Sequence, residues 1–320
     1  MSLKQVALAL CLFVIHESLA RADSYDDIVP HRELGGHVYF PSLIVSDPFV
    51  STYIALFTGA GYEWIDGPDF DSLGDRISTS TTRSYRAAAM AQGATFQATL
   101  TDFMALRITG GGGLDGGSNA RSALVVGMIQ PLTAGVGTTL AWNLAPNIRF
   151  GGTFDFVYAR TRLIRPLIGI QDSLIAGDVQ AVGVSEKLDS YSVLPGLTLA
   201  MTPCPSLGLL ASARYNWTSQ TDDMTTHSQY VSLGVSGQLD LLPDTGVGLG
   251  LLASYLATIP FESQARFTNT LEGGIFYTGR KSLDLGLDVQ GKWLDLDPQH
   301  LVRLDTIQLL VIAEIRYHWN

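Results

Sequence analysis

The stretch Ser282-Leu283-Asp284-Leu285-Gly286-Leu287-Asp288-Val289-Gln290-Gly291-Lys292-Trp293 decides how this chain folds. Leu283, Leu285, Leu287, Val289 and Trp293 hold the odd positions; Ser282, Asp284, Gly286, Asp288, Gln290 and Lys292 hold the even ones. Successive side chains of a strand point to opposite faces, so a period of two sets an apolar face against a polar one. The last stretch repeats this, with Ile307, Leu309, Val311, Ala313, Ile315, Tyr317 and Trp319 alternating with the mostly polar set Gln308, Leu310, Ile312, Glu314, Arg316 and His318. Upstream, the same apolar phase runs through Phe267, Leu271, Ile275 and Tyr277, then Val247, Leu249, Leu251 and Tyr255, then Val231, Leu233, Val235 and Leu239. It continues through Leu207, Leu209, Ala211, Tyr215 and Trp217, then Val193, Leu197, Leu199 and Met201, then Ile148, Phe150, Phe154, Phe156 and Tyr158. Four further strands, richer in Ala and Gly, are predicted at about 51–65, 82–99, 102–110 and 136–144.

The connections sort into two kinds in strict alternation. Short ones are Leu100 to Asp102, Ala145 to Asn147, Pro203 to Pro205, Pro243 to Gly246 and Gly279 to Lys281; long ones are 66–81, 111–135, 160–186, 218–226, 258–264 and 295–304. Tight turns at one end, long loops at the other and an even strand count are the layout of a membrane barrel, whereas Greek-key crossings would mix the loops. The aromatic residues agree. Trp64, Trp217 and Trp293, with Tyr62, Tyr158, Tyr215 and Tyr255, fall at the long-loop ends of apolar faces; Trp142, Trp319, Tyr277 and Tyr317 fall at the short-turn ends. Amphipathic rings settle where hydrocarbon meets headgroups, so two aromatic girdles are expected of a barrel in a bilayer.

The N-terminus has Lys4, an apolar run from Val6 to Ile15, and Ala20-Arg21-Ala22 before the acidic stretch Asp23 to Asp27. That order is a secretory signal peptide over residues 1–22, its apolar run too short to span a bilayer as a helix. Without Lys4, Arg21 and Glu17, the full chain's 20 basic and 30 acidic residues become 18 and 29, a net charge of −11 that argues against nucleic acid as a partner. Only Cys204 survives cleavage, so no intrachain disulfide forms. No later window offers the ~20 continuous apolar residues of a helical span. The organisation is therefore residues 1–22 as signal peptide, 23–50 as an N-terminal periplasmic or luminal segment, and 51–320 as an all-β, antiparallel, up-and-down transmembrane barrel of about twelve strands.

With its signal peptide, amphipathic strands of about ten residues and aromatic closing strand, the chain resembles Gram-negative outer-membrane β-barrel proteins over about 51–320. It departs from them at the last residue, where Asn320 follows Trp319. The resemblance implies an outer-membrane location, contact with outer-membrane lipids and the barrel-assembly machinery, and a porin-like or transporter-like role.

The polar face would line the lumen with Arg107, Arg149, Arg214, Arg266, Lys292 and Arg316 against Asp155, Asp240, Glu272, Asp284, Asp288 and Glu314. Equal numbers of each sign point to a wet interior tied by ion pairs, narrower than that of sixteen-stranded porins. Three connecting segments are too apolar for solvated loops: 37–50, 122–132 (Leu124, Val125, Met128, Ile129 and Leu132 at helix-like spacing) and 163–175. They either fold into the lumen as a plug or constriction or pack on one another as a cap; an apolar-lined entrance would favour hydrophobic or aromatic solutes.

The function expected is a channel or transporter for passive passage of small solutes, hydrophobic ones included. The alternatives are a receptor or scaffold barrel and, more remotely, an acyl hydrolase. His227 and Ser228 are adjacent at the loop end of a strand and Asn269 is a polar residue on a lipid-facing phase, but neighbouring strand residues point apart, so no catalytic residue is assigned and no enzyme is expected. The other His residues show no metal-ligand spacing, the glycines at Gly110 to Gly113 lack a phosphate-loop context, and no cofactor is expected.

Overall fold

The computed structural model describes residues 32–68, 82–119, 127–164, 185–221, 226–261, 267–294 and 306–319. Two short strands, β1 (Glu33–Leu34) and β2 (His37–Val38), precede twelve long ones. These are β3 (Thr52–Pro68), β4 (Thr82–Thr101), β5 (Met104–Gly117), β6 (Met128–Ala145), β7 (Ile148–Ile164), β8 (Ser185–Cys204), β9 (Leu207–Thr221), β10 (Thr226–Asp240), β11 (Leu249–Pro260), β12 (Thr268–Tyr277), β13 (Leu283–Leu294) and β14 (Thr306–Trp319). Each pairs antiparallel with its sequence neighbours, and β14 closes on β3 from Thr306↔Ile65 to Trp319↔Thr52, so the sheet is one closed barrel. Closure removes every sheet edge, which satisfies the backbone without water. No helix among the described residues is long and apolar enough to cross a membrane.

The alternating pattern becomes two faces. On β13, Leu285, Leu287 and Val289 are 41–53% exposed while Asp284 and Asp288 are buried at 2% and 1%. On β14, Ile307, Leu309 and Val311 point outward and Ile312 and Glu314 inward. Large apolar side chains stay exposed in this phase around the wall, from Ile54 and Leu56 on β3 through Phe154 and Phe156 on β7 to Leu271 and Ile275 on β12. A continuous exposed apolar surface of this kind needs an apolar surrounding.

Several boundaries differ from the sequence expectation. The strands are 10–20 residues long, not about ten. The glycines of 110–117, expected in a loop, continue β5, and Met128, Ile129 and Leu132, expected at helical spacing, open β6. Leu163 and Ile164 likewise end β7. Glycine and β-branched or polar residues mask the period of two there, and the wall rises above the apolar belt, where no lipid contact enforces it. The short connection near Pro243 contains a one-turn helix, α1 (Leu242–Thr245), with Pro243 in its first turn and Gly246 closing it at φ 73°. Residues 1–22, and residues 122–126 and 165–175 of the two apolar segments, lie outside the described residues.

Candidate functional site

The candidate site is the lumen, and the N-terminal segment occupies its short-turn end. Gly35 and Gly36, both at positive φ (57° and 85°), form the two-residue turn between β1 and β2, where Leu34 pairs His37. From this hairpin the chain crosses the interior to Ser51. Arg32 Nη1 donates to Asp284 at 2.6 Å and to the Tyr39 carbonyl at 2.9 Å; His318 Nε2 is 3.1 Å from the same carboxylate. Gln238 clamps the Phe40 backbone from both sides: its Nε2 donates to the Phe40 carbonyl at 2.7 Å and its Oε1 accepts from the Phe40 amide at 2.9 Å. On the next strands Glu272 accepts from the Ser42 hydroxyl and the Leu43 amide. Gln97 holds the Phe49 and Ser51 carbonyls, and the Tyr39 hydroxyl meets Thr202 at 2.9 Å. Strands β4, β8, β10, β12 and β13 thus all hold one segment, which we call the plug.

Shape reinforces these bonds. Inward-phase glycines leave room where plug side chains press on the wall: a Cβ on Gly250 would meet the Phe40 ring at 2.8 Å, one on Gly151 would meet Pro48 at 2.7 Å, and one on Gly208 would strike His37. Phe40 stacks on Phe276 at 5.1 Å, and Leu34, Tyr39, Val45 and Phe49 form a buried cluster with Ala200 and Leu210. His37 is fully buried, and its Nδ1 donates to the Pro205 carbonyl at 3.0 Å. Burial pushes its imidazole below the ordinary value of 6.5, more than Pro205, Asp240 and Gln238 raise it. Burial likewise raises the Tyr39 phenol.

Above the plug the wall charges form a ring. Arg107, Gly137 and Asp155 stand in register on β5, β6 and β7, and because Gly137 has no side chain the guanidinium reaches over it to Asp155 at 2.6 Å. Arg214 approaches the same carboxylate at 3.4 Å and donates to Ser46 of the plug at 2.5 Å. Arg316 pairs with Glu314 at 3.3 Å and lies 4.4 Å over the Tyr53 ring. Asp288 is buried, and among the described residues its oxygens have no hydrogen-bond donor. Arg149 sits at the short-turn rim, bonded to Asn143 and lying over Phe49. Asp240 is also at that rim, where it accepts from Thr278 and the Leu242 amide. Arg266 lies outside the described residues.

Two cavities rest on the plug and share Ile44, Ser46, Leu194 and Arg214. The lower, about 370 Å³, lies within the charged ring beside Asp47, Arg107, Asp155 and Arg316. The upper, about 690 Å³, faces the long loops and is lined by hydroxyls and amides, among them Ser212, Asn216, Ser232, Thr258, Thr270, Gln290 and Gln308, together with Ile44, Leu194, Leu256 and Leu310; among the described residues its charges are Lys292 and Arg214. Such a lining can exchange hydrogen bonds with a polar solute without a deep binding site. Among the described residues no His, Cys, Asp and Glu cluster could hold a metal.

The interface aromatics lie on the outward phase. Trp64 neighbours Tyr62, Tyr158 neighbours Tyr191, Trp142 stacks near Phe150, and Trp319 lies between Phe96 and Tyr317. Trp217 stacks on His227 at 5.5 Å on the outside, while Ser228 lines the upper cavity, so those two residues face opposite sides of the wall. Asn269, on the outer phase, accepts the Tyr255 hydroxyl at 2.5 Å, which satisfies its carbonyl. Tyr277 and Trp293 occupy the outward phase of β12 and β13, paired with Leu285 and Asn269. Arg32, Gln97, Thr202 and Gln238 escaped the sequence reading; inward-phase glycines and amides were the signal that could have found them.

Solved structures share this architecture. The fold is similar to that of an outer membrane channel from Pseudomonas putida F1, at a TM-score of 0.51 and 13% identity over 88% of this chain and 100% of that one. It is also similar to the translocator domain of autotransporter NalP from Neisseria meningitidis (TM-score 0.50, 8% identity, 98% of both chains). The beta domain of the Bordetella autotransporter BrkA compares at a TM-score of 0.50 and 10% identity, over 84% of this chain and 100% of that one. No protein-family model and no curated protein sequence matches the chain. The likeness is one of fold: a twelve-stranded barrel of the outer-membrane type.

Proposed function

We propose that this chain is an exported outer-membrane channel of a Gram-negative cell, passing small solutes passively through a lumen throttled by residues 32–51. The observation that carries the reading is the pairing of an apolar outer belt with a polar lumen whose cavities sit on a seated plug. The hydroxyl and amide lining, with cations at Arg214 and Lys292, favours small polar or anionic solutes. A hydrophobic solute would need the apolar entrance expected of what remains of those segments, residues 122–126 and 165–175. Outer-membrane lipids and the assembly machinery are its proposed partners; no catalysis is assigned to it.

Reconstitution in planar bilayers tests this. The full chain is expected to conduct weakly, and a chain lacking residues 32–50 to conduct several-fold more. No conductance from either would sink the channel and leave the second reading, a receptor or scaffold barrel, which the many wall bonds of the plug favour.

A further inference from the structure

The two lumen cavities meet at a neck. Ile44 and Ser46 of the plug, Leu194 of β8 and Arg214 of β9 line both, so a solute in the upper cavity touches the plug itself. Among the described residues no carboxylate lines the upper cavity, whereas Arg214 and Lys292 do; Glu63 and Asp115, on β3 and β5, stand within electrostatic reach of Lys292. Below the neck the signs are mixed, with Asp47, Asp155 and Glu314 beside Arg107, Arg214 and Arg316. Ile44, Leu194, Leu256 and Leu310 give the upper cavity an apolar part beside its hydroxyls. Its volume of about 690 Å³ is that of a small-molecule site.

Arg214 is the joint between solute space and plug. Its Nη2 donates to the Ser46 hydroxyl at 2.5 Å and stands 3.4 Å from Asp155, a carboxylate that Arg107 already holds at 2.6 and 2.9 Å. The grip of Arg214 on the plug is thus a bond to a neutral hydroxyl. A guanidinium holds a carboxylate by two parallel bonds, end-on through both Nη atoms or side-on through Nε and Nη2, and either grip calls on Nη2. A carboxylate arriving from above is the stronger acceptor and takes that nitrogen from Ser46. Its charge also comes close to Asp47, the next residue of the plug, and like charges repel. Both effects act against the seated plug.

We propose that the neck binds small organic carboxylates with an apolar body, and that binding draws Arg214 off Ser46 and loosens the plug. The inference rests on the channel reading and names the solute and the trigger of that same lumen. By linkage, the factor by which the anion favours unseating is the factor by which unseating favours the anion. The test uses the chain in detergent with both native cysteines replaced (Cys11→Ser, Cys204→Ser) and a Val45→Cys reporter, titrated with cyclohexanecarboxylate or with cyclohexylmethanol, its uncharged counterpart. Calorimetry reads binding and an aqueous maleimide reads exposure of the reporter. The carboxylate is expected to bind saturably and to speed labelling about tenfold; the alcohol should do neither. Ser46→Ala should quicken labelling without solute and tighten carboxylate binding, because the competitor for Arg214 is gone. Arg214→Gln should abolish both responses to the carboxylate. Absence of saturable binding, binding that leaves labelling unchanged, or unaltered affinity in Ser46→Ala overturns the proposal. Neither readout needs transport: a chain that conducts but fails them overturns this inference alone, and one that passes them without conducting supports the site and overturns the channel.

Discussion

The two ends of the lumen contrast sharply. At the short-turn end a set of inward side chains from different strands is committed to the plug: Asp284 to Arg32, Gln238 to Phe40, Glu272 to Ser42 and Leu43, Gln97 to Phe49 and Ser51. At the long-loop end hydroxyls and amides, with Arg214 and Lys292, surround a cavity of about 690 Å³. Both ends obey the same alternation of residues, so period alone does not separate a wall that grips from one that lets pass. The difference lies in what each polar group is paired with. Buried amides and carboxylates with fixed partners hold a segment; short hydroxyls around free volume leave room for a solute.

Abolishing the grip is the strongest way to break this contrast. Without residues 32–50 the short-turn end should come to resemble the long-loop end, and conductance is expected to rise several-fold in single-channel recordings, the largest effect here. Arg32→Ala comes next, because it removes the cation paired with the buried Asp284 carboxylate and leaves His318 beside it. A partner's loss at such a site costs about 3–5 kcal/mol, and both side chains here are within 5% of full burial. A Val45→Cys reporter should then react with an aqueous maleimide tens of times faster than in the parent background. Gln238→Ala removes both bonds to Phe40 and strands two backbone groups, worth about 1–3 kcal/mol; the same reporter should show a smaller acceleration. Gly250→Val places a branched side chain against the Phe40 ring and should raise conductance while leaving the thermal transition of the barrel close to the parent's.

The smallest effect concerns pH. The His37 imidazole, seated, titrates below the 6.5 of a free histidine, so above that value seated and unseated states are both neutral and seating is unaffected. As pH falls below 6.5 the unseated His37 takes up its proton first and the seat weakens, until the seated form titrates too. Reporter labelling should quicken on acidification in the parent, and less so with His37→Gln.

Much of the wall was legible because lipid and lumen impose opposite demands on alternate residues, and Leu283 to Trp293 records them without interruption. The upper parts of β5 and β6 were not, because Gly110 to Gly117 carries no alternation and Met128 to Leu132 has apolar residues on both faces. The lumen charges could be named from phase, but their partners could not. Arg107 reaches Asp155 over a glycine on the strand between, and Asp284 meets Arg32, 252 residues away in sequence. Such pairings depend on closure of the barrel and on the path of the plug, which no local pattern encodes.

The plug runs without a break into β3 at Thr52, so it is tethered to the wall it closes. Leaving its seat is therefore a swing about Ser51, and return is a unimolecular event. A short tether holds a segment at an effective concentration in the millimolar range, whatever the number of copies in the membrane. In the channel proposed above, modest bonds such as those of Gln238 and Gln97 are then enough to keep the plug seated.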